Sequence, residues 1–257
     1  MWRWFIAVCL LWLAGGAWAA EPPLQVRFSN QEYPPYAGSR LPDGGMLTRL
    51  VTEVFRRGNV SVSYVWYPNN RAIQLARNGD VDGSVGWAPS PERERDLLFS
   101  QEVLPFRMVL FQRQAEHFRW KALADLAPYR FGVTLGNFYS PEFDLLLKQG
   151  TLQVDESADD LSNMRKLVAR RVDLVPMELE SGQFLIQQQL SPAQAKQLVA
   201  QPRAYWHAPM CMVVWRGHPQ AAELVRRFNR ELAAMKRSGE LARLLADSRR
   251  RVFSQQP

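Results

Sequence analysis

The chain has 257 residues, of which 47% are apolar and 22% charged, with 15 Gly and 17 Pro. This is ordinary globular composition, which excludes an intrinsically disordered, collagen-like or disulfide-scaffold protein, and the length suits one large domain or two of about 100 residues each. Lysine and arginine outnumber aspartate and glutamate by 32 to 25, and the resulting net charge of +7 is too modest and too evenly spread to predict nucleic-acid binding by itself.

The first twenty residues have the pattern of a secretory signal peptide. Arg3 supplies the positive charge, Trp4–Leu13 the apolar segment, and Ala17-Trp18-Ala19 a small-residue cleavage motif. The apolar run is shorter than the ~20 residues that a membrane-spanning helix needs, so we favour a cleaved signal over the alternative of a membrane anchor. Cleavage near Ala19 or Ala20 predicts a mature protein that is exported to the periplasm.

Cysteine use excludes an intramolecular disulfide in the mature chain. Cys9 lies in the signal peptide, which leaves Cys211 as the remaining thiol. Cys211 lies within an apolar run, and no residue near it in sequence would lower its pKa. We therefore expect a buried strand thiol and not a reactive one.

The mature chain first alternates strands with helices. Alternating apolar and polar residues predict a strand over Leu24–Ser29, and apolar residues at helical spacing predict a helix over Met46–Arg57. A β-branched and aromatic strand over Val60–Tyr67, a short helix over Asn70–Arg77 and a strand over Val81–Val85 follow. This order is typical of a parallel sheet covered by helices.

A second α/β unit follows the extended run Phe106–Arg113. Its predicted strands are Arg130–Leu135, Gln153–Val154 and Val172–Val175. Its predicted helices are Ser140–Lys148, Ala158–Ala169, one that begins at about Gly182, and Ser191–Leu198. A second extended run, Met210–Trp215, leads back to two closing helices, Ala221–Arg237 and Gly239–Ala246. We expect the arginines at 249–251 to form a solvated end, with charge-guided docking as the alternative.

This organisation predicts two α/β lobes with a cleft between them. After the signal peptide at 1–20, residues 21–104 and 211–257 form lobe 1, and residues 105–210 form lobe 2. Ligands of open α/β sheets bind outside the carboxyl ends of the strands, so the two sets of strand ends should face each other across the cleft. Hinge closure around a ligand is a common use of this arrangement.

Four segments together resemble the periplasmic solute-binding proteins of the polar amino acid type, the third family of bacterial extracellular binding proteins. They are Glu32–Tyr36, Ala72–Gly83 (AIQLARNGDVDG), Ser90–Arg93 with Phe99-Ser100, and Arg130–Val133 with Gly136. The closing helices over Ala221–Leu245 resemble the ending of the family as well. The resemblance implies a type II periplasmic binding protein fold, in which two Rossmann-like lobes are joined by two extended hinge strands, and it implies no cofactor.

The resemblance also implies roles for individual residues. Arg93 falls on the arginine that grips the carboxylate of the ligand, and a planar guanidinium suits a bidentate contact of this kind. Tyr33 falls on the aromatic residue that packs on the ligand. Thr134 occupies a strand-end position that can touch it, and Asn137 lies at the strand-to-helix turn, where helix N–H groups favour an anion. Glu178 falls where the family places an acid for the α-amino group of the ligand.

Other residues near the predicted cleft allow two interpretations. Tyr36 and Trp87 could cover an apolar or cationic part of the ligand, or pack in the core. Arg71 could bind a second anionic group, or cap the helix that it begins. Ala88 and Gly86 stand where the family usually has hydroxyl residues, so one or two hydrogen bonds to a carboxylate are missing and the identity of the ligand stays open.

Other chemistries find little support in the sequence. The three histidines are scattered without metal-ligand spacing, so no metal site is predicted. No nucleophile-elbow or phosphate-loop motif is present. Glu178 could act as the acid–base group of a lyase or dehydratase only if burial raised its pKa, so the sequence does not predict an enzyme.

Together these inferences predict a monomeric solute-binding protein that captures a small amino-acid-like ligand, an amino acid or related zwitterion. We expect the closed form to be recognised by the permease of an ABC importer. The alternative is a soluble sensor that presents its ligand to a membrane receptor, and the sequence does not separate the two. No nucleic-acid partner is expected.

Overall fold

The computed structural model describes residues 22–67 and 69–254. In this part of the chain the strands are β1 (Leu24–Gln31), β2 (Val60–Tyr67), β3 (Gly83–Trp87), β4 (Leu97–Phe99), β5 (Leu104–Arg113), β6 (Arg130–Thr134), β7 (Gln153–Ser157), β8 (Val175–Glu178), β9 (Leu198–Ala200) and β10 (Trp206–Trp215). The helices are α1 (Met46–Arg57), α2 (Asn69–Asn78), α3 (Pro141–Lys148), α4 (Asp160–Val168), α5 (Leu179–Gln189), α6 (Pro192–Ala195), α7 (Ala221–Arg237) and α8 (Glu240–Phe253).

The predicted signal peptide, with its cleavage site near Ala19 or Ala20, lies outside the described residues. Within the described ranges, no helix is both long and apolar enough to cross a membrane.

One curled sheet runs through the molecule in the order β2-β1-β3-β10-β5-β8. β1 pairs in parallel with β2 and β3, whereas β10 pairs antiparallel with β3 near one end and with β5 near the other. The register of β10 shifts between Cys211 and Met212, close to where it changes partner. β4 extends the sheet beside β10 and β9 beside β5, while β6 and β7 form a separate parallel pair. The long strands β5 and β10 therefore connect the two halves of the molecule.

The buried apolar side chains fall into groups that follow the two predicted lobes. One group draws on residues up to 104 and from 210 onward, and in it the ring of Phe55 lies 5.6 Å from that of Phe28 and 4.8 Å from that of Phe228. Two other groups draw on residues 108–198, and there Phe131 packs edge-on against Phe143 at 5.3 Å. We call these halves lobe 1 and lobe 2. The boundaries after residues 104 and 210 remain a prediction.

Helix α1 fixes the loop that follows β1. Apolar residues at helical spacing bury one face of α1 in the lobe 1 core. The first N–H groups of α1 have no partner within the helix, and they donate instead to the loop: Met46 to the carbonyl of Pro35 at 3.0 Å and Leu47 to that of Tyr36 at 2.9 Å. Gly45 has φ 98°, and a Cβ on it would lie 2.6 Å from the Tyr36 carbonyl, so only glycine permits this approach.

Helix α5 is held against β5 by a second close approach. Gly182 lies in the first turns of α5, and a Cβ there would be 2.3 Å from the ring of Phe111 on β5. Phe111 is fully buried in the lobe 2 core. The missing side chain therefore lets the helix pack directly on the ring, which sets the position of Glu178 just before the helix.

Several predicted elements are confirmed to the residue, namely α1, β2 and α7. The strand predicted over Val172–Val175 is misplaced. It runs over Val175–Glu178, because the strand forms where Met108 to Phe111 of β5 offer backbone partners. The predicted helix over Ser191–Leu198 is also wrong beyond its first turn, since only Pro192–Ala195 is helical and Leu198 begins β9, which pairs with β5.

The arginine-rich end is helical, and its arginines are exposed to solvent as predicted. Residues 249–251 lie in α8, and Arg249 forms an ion pair with Glu180 of lobe 2 at 2.8 Å while its guanidinium lies over the ring of Phe253. Arg250 and Arg251 pair with Asp247 one turn earlier. The sequence did not indicate the contact with Glu180, because that acid lies far along the chain on α5.

The buried thiol is confirmed. Cys211 is 2% exposed on β10, and burial, followed by the charge of Glu102, raises the pKa of its thiol to about 11.

Candidate functional site

The predicted site residues gather mainly at the carboxyl ends of the strands. Tyr33 and Tyr36 follow β1, Trp87 ends β3, Thr134 ends β6 and Glu178 ends β8. Ligands of parallel α/β sheets bind at this edge, since the strand ends open onto a crevice there. Two hydrogen bonds cross between the lobes. The Tyr36 hydroxyl donates to Glu178 Oε1 at 2.8 Å, and the Ser181 hydroxyl of lobe 2 donates to the carbonyl of Pro34 at 3.0 Å.

Glu178 is a buried acid at the floor of the cleft. It is 1% exposed and caps helix α5, accepting a hydrogen bond from the Ser181 N–H on Oε2 at 2.9 Å. Burial raises the pKa of Glu178, and the Ser181 N–H, the Tyr36 hydroxyl and the Arg107 N–H oppose that rise without cancelling it. In the described part of the chain it has no Lys or Arg partner.

An aromatic row runs across the cleft from one lobe to the other. Tyr33 stacks on Tyr36 with ring centroids 5.9 Å apart, and on its other side it lies 6.3 Å from Phe106 on β5. Phe106 meets Trp206 of β10 edge-on at 6.0 Å, and Trp206 meets Phe138 at 5.6 Å. Phe138 is 59% exposed at the lobe 2 end of the row. An amphipathic ligand could lie along these faces.

Tyr33 connects the aromatic row to the acids of lobe 2. Burial raises the pKa of its hydroxyl, and the charges of Glu178 and then Asp160 raise it further, while a hydrogen bond with Ser181 lowers it. The Tyr33 hydroxyl is therefore within electrostatic range of two acids of lobe 2, and its contact with the ligand remains a prediction.

Arg93 and Trp87 form one unit on the lobe 1 wall. Trp87 is 6% exposed within a core group, and its Nε1 donates to Ser84 Oγ at 2.8 Å. The Arg93 guanidinium lies over this ring at 5.2 Å and donates to the carbonyl of Ala88 at 2.8 Å. The tryptophan therefore supports the arginine and is itself packed in the core.

The Arg93 guanidinium has no acidic partner among residues 22–67 and 69–254. Burial lowers the pKa of Arg93, Glu92 only partly opposes this, and the charge of Arg77 adds to it. No hydrogen bond joins Arg93 to Glu178 in the described structure, so the pairing of these two residues around one ligand remains a prediction.

Thr134 does not present a free hydroxyl to the cleft. Its Oγ1 donates to Asp160 Oδ1 at 2.5 Å and accepts from Asn163 Nδ2 at 3.0 Å. Its backbone N–H donates to the Tyr139 hydroxyl at 2.5 Å. The side-chain hydroxyl and the backbone N–H of Thr134 are therefore both hydrogen-bonded within lobe 2, where they hold the end of β6 and Asp160 in place.

Two predicted site residues lie at the periphery. Arg71 is the third residue of α2, so it does not occupy the capping position before the helix. Its side chain is exposed, and its guanidinium lies over the ring of Tyr67 at 5.3 Å. Asn137 is exposed too, but it does not cap α3: the helix begins at Pro141, and Ser140 caps it by accepting from the Phe143 N–H at 3.0 Å. The helix start therefore agrees with the predicted helix over Ser140–Lys148, and a contact of Asn137 with the ligand remains a prediction.

The sequence analysis missed four residues at the cleft: Phe106, Phe138, Trp206 and Asp160. Phe106 and Trp206 lie in or beside the extended runs that were treated as connections, and an aromatic residue at each end of a hinge was the available signal. Asp160 gave no signal of its own, since Asp159-Asp160 resembles an ordinary helix cap followed by a first-turn acid.

A large concavity elsewhere on lobe 2 does not bear on this site. It has a volume of about 930 Å³ and lies between residues 112–120 and 199–203. Its Arg203 stacks on Trp120 at 4.2 Å and donates to the carbonyls of Trp120 and Lys121, while the Trp120 Nε1 donates to Gln201. These groups satisfy one another. In the described ranges, no three His, Cys, Asp or Glu residues are grouped to hold a metal.

Comparison with protein families gives a match over most of the chain. A model of the bacterial extracellular solute-binding proteins, family 3, matches residues 26–247. A comparison with curated protein sequences gives no significant match.

Solved structures share the fold at low sequence identity. A histidine kinase sensor domain similar to periplasmic binding proteins is 18% identical, with a TM-score of 0.66 over 89% of this chain and 97% of that one. The second substrate-binding domain of an amino acid ABC transporter from Streptococcus pneumoniae is also 18% identical (TM-score 0.67, 88% and 99% covered). The glutamate-bound core of GluR0 from Nostoc punctiforme is 14% identical (TM-score 0.64, 86% and 98% covered). The fold is that of the type II periplasmic binding proteins.

Proposed function

The chain belongs to the bacterial extracellular solute-binding proteins, family 3, and from that premise we propose that it captures a small amino-acid-like ligand in its cleft. The protein acts as an exported monomer. Ligand enters between the open lobes, contacts Tyr33 and Arg93 on lobe 1, and is enclosed when the elements around Thr134, Asn137 and Glu178 approach by hinge motion. Closure follows from contacts that only the closed form offers.

One observation carries this proposal: among the described residues, lobe 1 holds a cation and lobe 2 an acid near their strand ends, and neither forms an ion pair. Arg93 on lobe 1 meets an aromatic face and a carbonyl, and Glu178 on lobe 2 meets only neutral donors. Withdrawing a charge from water without a counter-charge is costly, so a zwitterion that supplies both counter-charges would be bound strongly.

Delivery to an ABC importer is the partner role that we propose, with sensing as the alternative. The structural neighbours include proteins of both kinds, among them the ABC transporter domain and the histidine kinase sensor domain. Permease and ATPase genes beside the gene for this protein would support delivery, whereas a sensor kinase gene would support sensing.

A thermal-shift screen of amino acids, small carboxylates and polyamines tests the proposed function. A ligand at 100 times its Kd should stabilise the protein by about 2.7 kcal/mol, because it binds only the folded state. Arg93→Ala should abolish the shift. Arg95→Ala is the matched control, since Arg95 is exposed two residues away and should leave the shift unchanged. No shift with any compound, or a full shift in Arg93→Ala, would contradict the proposal.

Export is tested by the mass of the protein recovered from the periplasmic fraction. We expect a chain that begins after Ala19 or Ala20. A full-length protein retained with the membrane would support the anchor alternative.

The raised pKa of Glu178 is the one observation that favours a lyase or dehydratase as a second candidate. An acid–base catalyst must exchange a proton with its substrate, whereas both oxygens of Glu178 already accept hydrogen bonds from the protein. We therefore expect binding without turnover. Product formation from a bound ligand, lost in Glu178→Gln, would establish the enzyme instead.

A further inference from the structure

Asp160 is a second acid at the lobe 2 strand ends, partly buried and without a cationic partner in the described part of the chain. It is the first residue of α4, directly beyond β7, and its Oδ1 accepts from Thr134 Oγ1 at 2.5 Å. In the described part of the chain no Lys or Arg pairs with it, and its Oδ2 accepts no hydrogen bond. Burial raises the pKa of Asp160, and the Thr134 hydroxyl opposes this only in part.

A chain of hydrogen bonds holds this carboxylate in place. Asn163 Nδ2 donates to Thr134 Oγ1 at 3.0 Å, so the hydroxyl proton of Thr134 is directed to Asp160. Asn163 is buried. One oxygen of Asp160 is thereby fixed, and the other is left for a group that the protein does not supply. Thr134 and Asn163 are positioning residues in this arrangement.

Asp160 and Glu178 face the same ligand space. Both charges act on the Tyr33 hydroxyl. Glu178 accepts from Tyr36, on which Tyr33 stacks, and Asp160 is bonded to the strand end of β6. The two acids thus approach the aromatic row from lobe 2 at different points.

The charges along the cleft do not balance without a ligand. Among the described residues, lobe 1 contributes one half-buried cation without an ion-pair partner, Arg93, and lobe 2 contributes two acids without one, the buried Glu178 and the partly buried Asp160. Arg71 is exposed to solvent and does not enter this count. Arg107 follows Phe106 on β5, and strand alternation directs it to the opposite face of the sheet from that aromatic side chain. A ligand that pairs all three groups carries one anion and two cations.

We infer that the ligand is a basic amino acid, whose carboxylate binds Arg93, whose α-ammonium binds Glu178 and whose side-chain cation binds Asp160. The inference rests on the proposed function and specifies its substrate class. The faces of Tyr33 and Phe106 would cover the aliphatic stem of such a side chain and attract its charge. A neutral side chain that shields Asp160 from the remaining solvent would leave its charge unpaired, which is costly.

Isothermal titration of the full-length protein, as purified, with L-arginine and L-citrulline tests the inference. These two amino acids have nearly the same shape, but only arginine carries a side-chain charge. Wild-type protein should bind arginine at least 30-fold more tightly than citrulline. Asp160→Asn should reduce that ratio to within about threefold, by weakening arginine while leaving citrulline nearly unchanged. A melting curve of the ligand-free variant verifies that it folds.

The chain offers a matched control next to the site. Asp159 is exposed and caps α4 by accepting from the Ser162 N–H, and asparagine is also a good cap, so Asp159→Asn should keep the wild-type ratio. The positioning role of Thr134 predicts a smaller loss of discrimination in Thr134→Val, restored in Thr134→Ser, because serine keeps the hydroxyl.

The possible results separate this inference from the proposed function. Equal binding of arginine and citrulline, or an unchanged ratio in Asp160→Asn, overturns the basic-ligand assignment while Arg93-dependent amino acid binding still stands. A loss of affinity for both ligands alike in Asp160→Asn overturns it too, since Asp160 would then act on closure. Failure of every amino acid to bind overturns the proposed function itself.

Discussion

Arg113 in lobe 2 is buried, and Arg93 in lobe 1 is half-buried. Arg113 is 6% exposed, and its guanidinium pairs with Glu116 and Asp173 and donates to two carbonyls. Burial would lower the pKa of Arg113, but these two carboxylates reverse the effect and raise it. Burial lowers the pKa of Arg93, which forms no ion pair in the described chain, and the charge of Glu92 only partly opposes this.

The comparison shows where the fold provides counter-charges and where it leaves them out. A buried arginine that only supports the structure receives acids from its own chain. Within the described residues Arg93 does not, and the lobe 2 acids Glu178 and Asp160 receive no cation either. A charge that the protein leaves unpaired in a partly dry site is available to a ligand, so the unpaired groups mark the binding surface.

The largest effect should come from breaking the paired arginine. Arg113→Ala should destabilise the protein by about 3 kcal/mol, because it removes one member of a buried ion pair and leaves two carbonyls unsatisfied. Arg93→Ala should change stability by less than about 1 kcal/mol. Urea denaturation of both variants measures the difference, and similar losses in the two would remove the contrast between them.

Tyr36→Phe tests whether the acid of lobe 2 depends on lobe 1. The variant removes the donor at 2.8 Å from Glu178, and losing a hydrogen bond to a charged group should cost about 2 kcal/mol. Tyr64→Phe is the control within lobe 1. Its hydroxyl shares a neutral hydrogen bond with Thr52 at 2.9 Å, so about 1 kcal/mol is expected. A smaller loss in Tyr36→Phe than in Tyr64→Phe would show that Glu178 does not need the interlobe donor.

Asp160→Asn should stabilise the ligand-free protein at neutral pH, by ~1 kcal/mol. Because burial raises the pKa of Asp160, its contribution to stability is full below the ordinary value of 3.8 and is lost as pH rises through the higher pKa of the folded state. Asparagine does not ionise, so the variant keeps its stability as pH rises. Its melting temperature should match that of the wild type near pH 3 and exceed it at pH 7.

Asp159→Asn has the opposite sign and controls the pH measurement. Hydrogen bonds from the Ser162 N–H and hydroxyl lower the pKa of Asp159, so its contribution is present above the ordinary value and lost as pH falls. That variant should be slightly less stable than the wild type at pH 7. If both variants were more stable than the wild type at pH 7, the gain would come from removing negative charge in general and not from the burial of Asp160.

The smallest effect is expected at a buried group that carries no charge. Because the pKa of Cys211 is raised to about 11, the thiol stays protonated at pH 8. A thiol reagent should therefore leave the native protein unmodified and react only after unfolding in urea. Rapid modification of the native protein would show that β10 opens at this point.

Local sequence predicted much of the fold because some elements depend mainly on their own residues. The bounds of α1 and α7 follow from apolar spacing on one face and from the turns that end them. β8 and β9 could not be placed in this way, since each forms where β5 offers backbone partners, and that register is decided by residues far along the chain. The site divides in the same manner. Arg93 and Glu178 were found through a family resemblance, whereas Asp160 had the appearance of an ordinary acid in the first turn of a helix.

By itself the sequence determined the alternation of strands and helices, the family, and the types of group at the strand ends, because these are properties of short segments. The tertiary structure alone decided which charges are paired. Arg113 and Arg93 are the same type of residue, and Arg113 has an acid three residues away, but only the folded chain brings it Asp173, which lies 60 residues away. Whether a charge stays unpaired depends on every segment packed around it, so the surplus of unpaired charge among the described cleft residues became visible only in the folded chain.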